Sequence, residues 1–382
     1  MSKRFTIDGS AELERWLDSI CRQVEEGVRQ LIPSSKLEGL VLGGGYGRGE
    51  GGVLKTEAGD EPYNDLEFYV FLRGNRLLNE RRFSRPLNEL AERLSVNAGI
   101  HVEFKCESIR RLRLSPVSMF SYDLVASHRI IFGHPEIFRG CEHHLEAANI
   151  PLSEVTRLLF NRCTGLLLVR EKLARPQQFA EEADFIGRNL AKAQLALGDA
   201  VLAAFRKYHW SCQERHRRLM ELSLPEAPPN LDRIKEHHNA GVAFKLQPRR
   251  SSGSEGELEQ LHRDLSALAS QLWLWLESIR LQETFLSARD YCLYGRNKCP
   301  DTSAWRNCLL NLRSFGLKTV SDALKWRYPR ERLFNALPLL LWDGDASNEP
   351  SIRRLLQTQL HTAASDWAGW VAAYKNLWPS YG

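Results

Sequence analysis

Three acidic side chains, far apart in the chain, are the residues best suited to do chemistry: Asp65, Glu67 and Glu103. The first two lie in Asn64-Asp65-Leu66-Glu67-Phe68-Tyr69-Val70. That alternation predicts a strand with Asp65, Glu67 and Tyr69 on one face and Leu66, Phe68 and Val70 on the other. Carboxylates side by side repel each other unless a cation lies between them. Hard oxygen donors of this kind suit Mg2+, with Mn2+ as an alternative. Glu103 lies in a second alternating segment, with Lys105 on its own face and Val102, Phe104 and Cys106 opposite. Laid beside the first strand, it completes a three-carboxylate set for two ions, the arrangement that stabilises both attacking and leaving oxygens in a phosphoryl displacement.

A glycine-rich turn precedes the acids. Leu40-Val41-Leu42 predicts a buried strand that stops at Gly43-Gly44-Gly45-Tyr46-Gly47-Arg48-Gly49-Glu50-Gly51-Gly52. Glycines there allow positive φ and let backbone N–H groups converge on an anion. A helix starting just after them would add its positive end. Arg48 offers a fork of donors to a phosphate. Gly43, Gly44, Gly45, Tyr46 and Arg48 are therefore the expected phosphate contacts.

In combination, the Gly-Gly turn with its following Arg-Gly-Glu, the Asp-Leu-Glu strand and the lone Glu103 between apolar residues resemble the DNA polymerase β-type nucleotidyltransferase superfamily over about the first 140 residues. The resemblance implies Asp65, Glu67 and Glu103 as catalytic residues and ligands of two Mg2+ ions, with Gly44 and Gly45 as the phosphate turn. It implies transfer of an NMP from a nucleoside triphosphate, ATP among them, to a hydroxyl. Gly45 stands where that superfamily often has Ser, so Tyr46 or Arg48 must replace the missing hydroxyl. Glu67 stands where Asp is commoner. The acceptor stays open between a protein, a tRNA and a small molecule. A degenerate nucleotide sensor that binds without turnover, and a purely structural helical scaffold, are the competing classes.

The elements that must hold these residues follow from periodicity. Ser10 caps a helix to Leu31 carrying Leu13, Trp16, Ile20, Val24 and Val28 on one stripe. A second helix is expected over Ser84–Ala98, and a short strand at Arg129-Ile130-Ile131-Phe132-Gly133, with Asp123 and Arg129 as candidates near the cleft. From Pro151 onward the pattern is helical, near 152–174, 180–207, 210–222, 230–243, 256–288, 302–325, 330–342 and 351–377. The expected fold is thus α+β: a small mixed-sheet catalytic domain over 1–150, then an all-α helical bundle over 151–382 that selects the acceptor. Arg188, Lys192 and Asp199 share one side of their helix, and the first two are candidates for holding the triphosphate. Asn161 and Arg162, inside an apolar helix, need partners. Leu258, Leu261, Leu265, Leu268, Leu272, Trp275 and Ile279 keep a heptad spacing that serves either internal packing or a homodimer contact.

The 382 residues carry a formal charge of +5, which permits nucleotide or nucleic-acid binding without demanding it. Eight cysteines without a Cys-x-x-Cys pair, a polar start and no apolar run of spanning length together imply a cytoplasmic protein with no membrane contact. Cys141-Glu142-His143-His144 and His237-His238 read as surface clusters, because no second ligand pair lies at metal spacing.

Overall fold

The structure, a computed structural model, describes residues 4–175, 177, 179–223, 227–250, 253–316, 323–344 and 349–381. The chain divides into two compact units. The first holds residues 1–151, 205–222 and 239–249, and the second 152–204, 223–238 and 250–382. A single boundary at residue 150 therefore leaves out two later segments, which group with the N-terminal part.

In the first unit, α1 (Ala11–Leu31) starts where Ser10 Oγ accepts from Leu13 N at 3.2 Å. Its stripe of Leu13, Leu17, Ile20, Val24 and Val28 is buried, and Trp16 and Leu31 lie at the margin. There follow β1 (Leu37–Leu42), α2 (Gly44–Arg48), β2 (Val53–Thr56), β3 (Gly59–Pro62), β4 (Leu66–Leu72), α3 (Arg76–Ala98), β5 (Val102–Glu107), α4 (Ile109–Leu114), α5 (Met119–Ala126) and β6 (Arg129–Gly133). The main sheet has the order β5-β4-β1-β6. Strand β1 runs antiparallel to β4 and β6, while β4 and β5 are parallel. Parallel neighbours need a crossover connection, and α3 supplies it.

Two features differ from expectation. The stretch between the glycine turn and Asp65, for which no element was expected, is a β2–β3 hairpin, since Val53 and Leu54 are buried and Gly59, at φ +125°, allows the tight reversal. Helix α3 begins eight residues earlier than Ser84, because Asn75 accepts from Leu78 N at 3.2 Å and caps it.

Both faces of the sheet are covered. Leu40, Leu42, Leu66, Phe68, Val70, Val102 and Phe104 pack with α1 and α3 residues. Val41, Tyr69 and Phe71 pack with Leu124, Val125 and Phe138 on the other side. Phe120 of α5 lies against Tyr69, with ring centroids 5.4 Å apart. Glu67 and Glu103 share the strand parity of Tyr69, so they belong to this second face.

The remaining helices are α6 (Leu152–Leu173), α7 (Phe179–Ala204), α8 (Cys212–Met220), α9 (Leu231–Leu246), α10 (Glu255–Leu281), α11 (Ala288–Leu293), α12 (Ala304–Phe315), α13 (Arg330–Trp342), α14 (Pro350–Leu360) and α15 (Trp367–Tyr381). Helix α8 and the last turns of α9 belong to the first unit, and the others form the second. The helix expected over 302–325 ends at Phe315, where Gly316 turns the chain at φ +67°. Residues 317–322 of that expectation lie outside the described ones. Along α10, Leu258, Leu265, Leu268 and Leu272 are buried, whereas Ile279 is exposed. Among the described residues no helix is long and apolar enough to cross a membrane.

Candidate functional site

Register places two of the three acids together. Glu67 on β4 pairs directly with Glu103 on β5, one step into the parallel ladder. Glu67 is 35% exposed and Glu103 42% exposed, so neither carboxylate pays the full cost of desolvation. Asp65 lies one residue before β4 and is exposed. It makes no hydrogen bond or ion pair with any described residue. The three acids do not close on one point: among the described residues, no three His, Cys, Asp or Glu side chains are gathered as metal ligands.

A cation does sit on the pair. Lys105 Nζ lies 3.1 Å from Glu103 Oε2 and 3.7 Å from Glu67 Oε2. The alternation that puts Glu103 on this face also puts Lys105 there. Tyr69 donates to Glu67 Oε2 at 2.8 Å. Burial, and then the Glu67 charge, push the Tyr69 hydroxyl pKa far up, which keeps it a donor.

The glycine turn abuts these acids. Gly43 N donates to the Glu67 carbonyl at 2.9 Å, joining the end of β1 to the start of β4. That amide is thus spent on the sheet and does not serve as the phosphate contact expected of it. Gly44 adopts φ +60°, and a Cβ there would stand 3.1 Å from Glu67 Oε1. The first-turn amides of Gly44 and Gly45 lie outside the ladder of helical hydrogen bonds. Gly47 is required by packing, since a Cβ there would meet the Leu42 carbonyl oxygen at 2.1 Å.

Tyr46 is not a phosphate contact. Its ring is fully buried, and its hydroxyl donates to Gly52 O at 2.8 Å and accepts from Tyr63 N at 2.9 Å. Burial raises its pKa to about 12. The phenol is an internal strut that holds the loop to the strand that follows.

Arg48 is half committed. Its Nη1 donates to Asp123 Oδ2 at 2.7 Å, and the side chain is only 11% exposed. Its Nε is buried without a hydrogen-bond partner among the described residues. Asp123, read as a residue near the cleft, therefore does flank the turn. Arg129 meets the turn only through its backbone, its N lying 3.7 Å from where a Cβ on Gly47 would stand, while its guanidinium lies 3.7 Å above the Phe5 ring.

Further groups at this turn come from distant sequence. Glu50 is buried and accepts from Ser211 Oγ at 2.6 Å and Cys212 N at 2.9 Å, tying the turn to the start of α8. Arg215 donates to Tyr208 Oη at 2.8 Å and to His209 O at 3.0 Å. Lys245, in the last turn of α9, interacts electrostatically with Arg48, Cys212, Arg215 and Glu50. Only the isolated acid among glycines, Glu50, carried any signal in the sequence. Nothing in local spacing links Lys245 or Arg215 to the turn.

The remaining candidates belong to the second unit or to structural roles. On α7, Arg188 forms an i,i+4 pair with Asp184 at 3.1 Å and Lys192 is exposed. Asp199, expected on their side, is instead buried with His238 Nε2 3.1 Å away. Asn161 is exposed, and Arg162 is part-buried, its pKa lowered by that burial. Cys141 and His144 are buried rather than on the surface, His144 Nε2 lying 2.9 Å from Leu112 O.

No family model matches the chain, and no curated protein sequence matches it significantly.

Proposed function

We propose that the chain is a metal-dependent nucleotidyltransferase that moves an NMP unit from a nucleoside triphosphate to a hydroxyl group, with release of pyrophosphate. The supporting observation is the in-register pair of Glu67 and Glu103, half-exposed on one sheet face, with Gly44 packed against Glu67. Hard carboxylate donors side by side, already attracting the Lys105 ammonium, fit a divalent ion of the Mg2+ type. Glu67 and Glu103 would hold it, and Asp65, apart from them at the start of the strand, would join only as the cation draws it in. When bound, such an ion supplies neutralisation of phosphate charge.

The chain's own residues do the rest. The first-turn amides of Gly44 and Gly45, outside the helical ladder, would bind a phosphate chain beside the acids. Glu103 takes up the proton of the acceptor hydroxyl as its oxygen bonds to the α-phosphorus. The bond from the α-phosphorus to the bridging oxygen breaks, and pyrophosphate leaves with the electron pair. Positioning and electrostatics carry such a reaction, so loss of one shared carboxylate is severe. The acceptor is a hydroxyl on a protein, a tRNA or a small molecule.

One observation favours a second reading, a nucleotide sensor without turnover. Lys105 offsets half of the pair's charge internally, as a permanent counter-ion would. Incubation with α-labelled ATP, CTP, GTP or UTP, Mg2+ or Mn2+, and a cell lysate separates the two. The transferase reading expects a labelled acceptor with matching pyrophosphate release, abolished in Glu67→Gln. Metal-dependent nucleotide binding with no label transferred under any of these conditions establishes the sensor instead.

A further inference from the structure

The second unit holds a groove of about 740 Å3 that the proposed chemistry does not use. Its walls are the C-terminal end of α6, one side of α10 and the end of α13. Small-molecule sites commonly measure about 300–1,000 Å3, so the size is that of a ligand pocket. On α10, Leu258, Leu265, Leu268 and Leu272 turn into the core. Ser266 and Ser270, one helical turn apart on a neighbouring stripe, line the groove, and their short side chains leave it open. Leu341 and the Trp342 ring supply apolar wall. Glu259 and Arg263, both half-exposed, pair with each other at 2.8 Å and bring no net charge.

Two lining groups keep open hydrogen-bonding positions. Arg170 on α6 donates through Nη1 to Leu340 O at 2.8 Å and to Leu341 O at 3.0 Å, at the end of α13. The Trp367 ring centroid lies 5.0 Å from its guanidinium carbon. Among the described residues no acid pairs with it, and its Nε and Nη2 have no hydrogen-bond partner. Those two nitrogens form one edge of the guanidinium, with parallel N–H bonds spaced for the two oxygens of a carboxylate. His262 is 7% exposed, and its Nε2 lies 3.0 Å from Leu166 O. A carbonyl only accepts, so Nε2 carries the proton and Nδ1 of the neutral ring is left as an acceptor. Burial lowers the His262 pKa and the Arg170 charge adds to this, which keeps the ring neutral. Nδ1 has no partner among the described residues. In the helix, Leu166 O also faces the Arg170 backbone N–H, so the imidazole sits at the foot of the arginine.

We infer that this groove binds a small carboxylate whose body carries a hydroxyl or amino group. Arg170 takes the carboxylate on its Nε–Nη2 edge, and His262 Nδ1 accepts from the donor on the body. Arg170 is the one lining cation without an acid partner among the described residues, which suits a monoanion better than a phosphate dianion. The Trp342 ring and the two serine hydroxyls flank the ligand's body. The site lies wholly within the second unit and stands independently of the transferase reading.

The test titrates the full chain with a set of hydroxy- and amino-carboxylates, from lactate to meta-hydroxybenzoate, each beside its neutral amide. Benzoate and meta-hydroxyphenyl phosphate complete the set, and saturation-transfer NMR with calorimetry reads the affinities. Members of the set are expected to bind wild type, with the matching amides weaker by about tenfold or more, as for a lost charge-assisted contact. Arg170→Met should cause a loss of the same size. His262→Phe should weaken meta-hydroxybenzoate and leave benzoate nearly unchanged. Arg170 also holds the end of α13, so if Arg170→Met fails to fold, Ser270→Phe decides, because it fills the groove and leaves the arginine in place; binding is then expected to disappear. Wild type that binds no carboxylate of the set, or binds the amides equally, overturns the inference. So does binding that survives Arg170→Met or Ser270→Phe unchanged, or a phosphate ester that binds more tightly than the carboxylates.

Discussion

Two clusters of charge in this molecule show how differently ionised groups can be kept. In the second unit, Glu277 is completely buried and fully answered. It accepts from Thr156 Oγ1 at 2.6 Å, from Arg280 Nε at 2.7 Å and Nη2 at 2.5 Å, and from Tyr291 Oη at 2.9 Å. In the first unit, around the glycine turn, Asp65 makes no hydrogen bond or ion pair with a described residue, and Glu67 and Glu103 share one half-buried lysine, Lys105. A buried charge kept only for architecture must be closed off by its own protein, since desolvation is otherwise uncompensated. Charges left open beside a sharp backbone turn are suited to complete their shells with something that arrives. The contrast separates a structural ion pair from the proposed site.

The sharpest way to break the contrast is to open the closed cluster. Arg280→Met leaves Glu277 buried with its charge uncompensated and should cost about 3–5 kcal/mol in denaturant unfolding. A loss within experimental error would show that Glu277 is not held as an ion pair. Next, Gly47→Ala forces a methyl into the Leu42 carbonyl and should destabilise the first unit by about 3 kcal/mol. Were it tolerated, the turn would be looser than described, and its proximity to Glu67 would lose weight. By contrast, Asp65→Asn touches an open charge. It should leave the unfolding midpoint within about 0.5 kcal/mol of wild type, as surface changes do. It should also cut nucleotide transfer at least about a hundredfold. A large stability change with transfer intact would invert the assignment.

The smallest effect concerns Glu50, the one closed charge at the turn. Burial alone would raise its pKa, but the bonds from Ser211 and Cys212 outweigh that and hold it below the usual carboxylate range. A depressed folded pKa means stability that is present above the unfolded value and lost as pH falls through the folded one. Acidification below about pH 4 should therefore loosen the start of α8 before the sheet opens. Hydrogen exchange at the Cys212 amide reads this directly, with Glu50→Gln removing the pH dependence.

Much of the sheet's logic was legible beforehand because it is local. The alternation at 65–70 and 102–106 fixed which side chains share a face, and the abrupt Leu42–Gly43 boundary fixed where β1 ends. What could not be read is whatever depends on partners far along the chain. Glu50 meets Ser211 across 161 residues, and Arg48 meets Asp123 across 75. No periodicity encodes either pairing. The hairpin at 53–62 escaped because its strands are four residues each and half polar, too short for alternation to show. Lys105 was visible on the acid face, but only coordinates reveal that its ammonium lies between the two carboxylates. Asp199 looked like part of a solvated stripe with Arg188 and Lys192, yet it lies buried against His238.

As proposed, the Glu67–Glu103 pair takes up a divalent cation in company with a nucleotide, in place of the Lys105 ammonium. Titrating Mn2+ into the wild-type chain with ATP present, followed by electron paramagnetic resonance of the free ion, tests it most directly. Tight Mn2+ uptake that disappears in both Glu67→Gln and Glu103→Gln, with the fold intact, is the predicted result. Uptake that is absent in wild type, or unchanged in both variants, would contradict it.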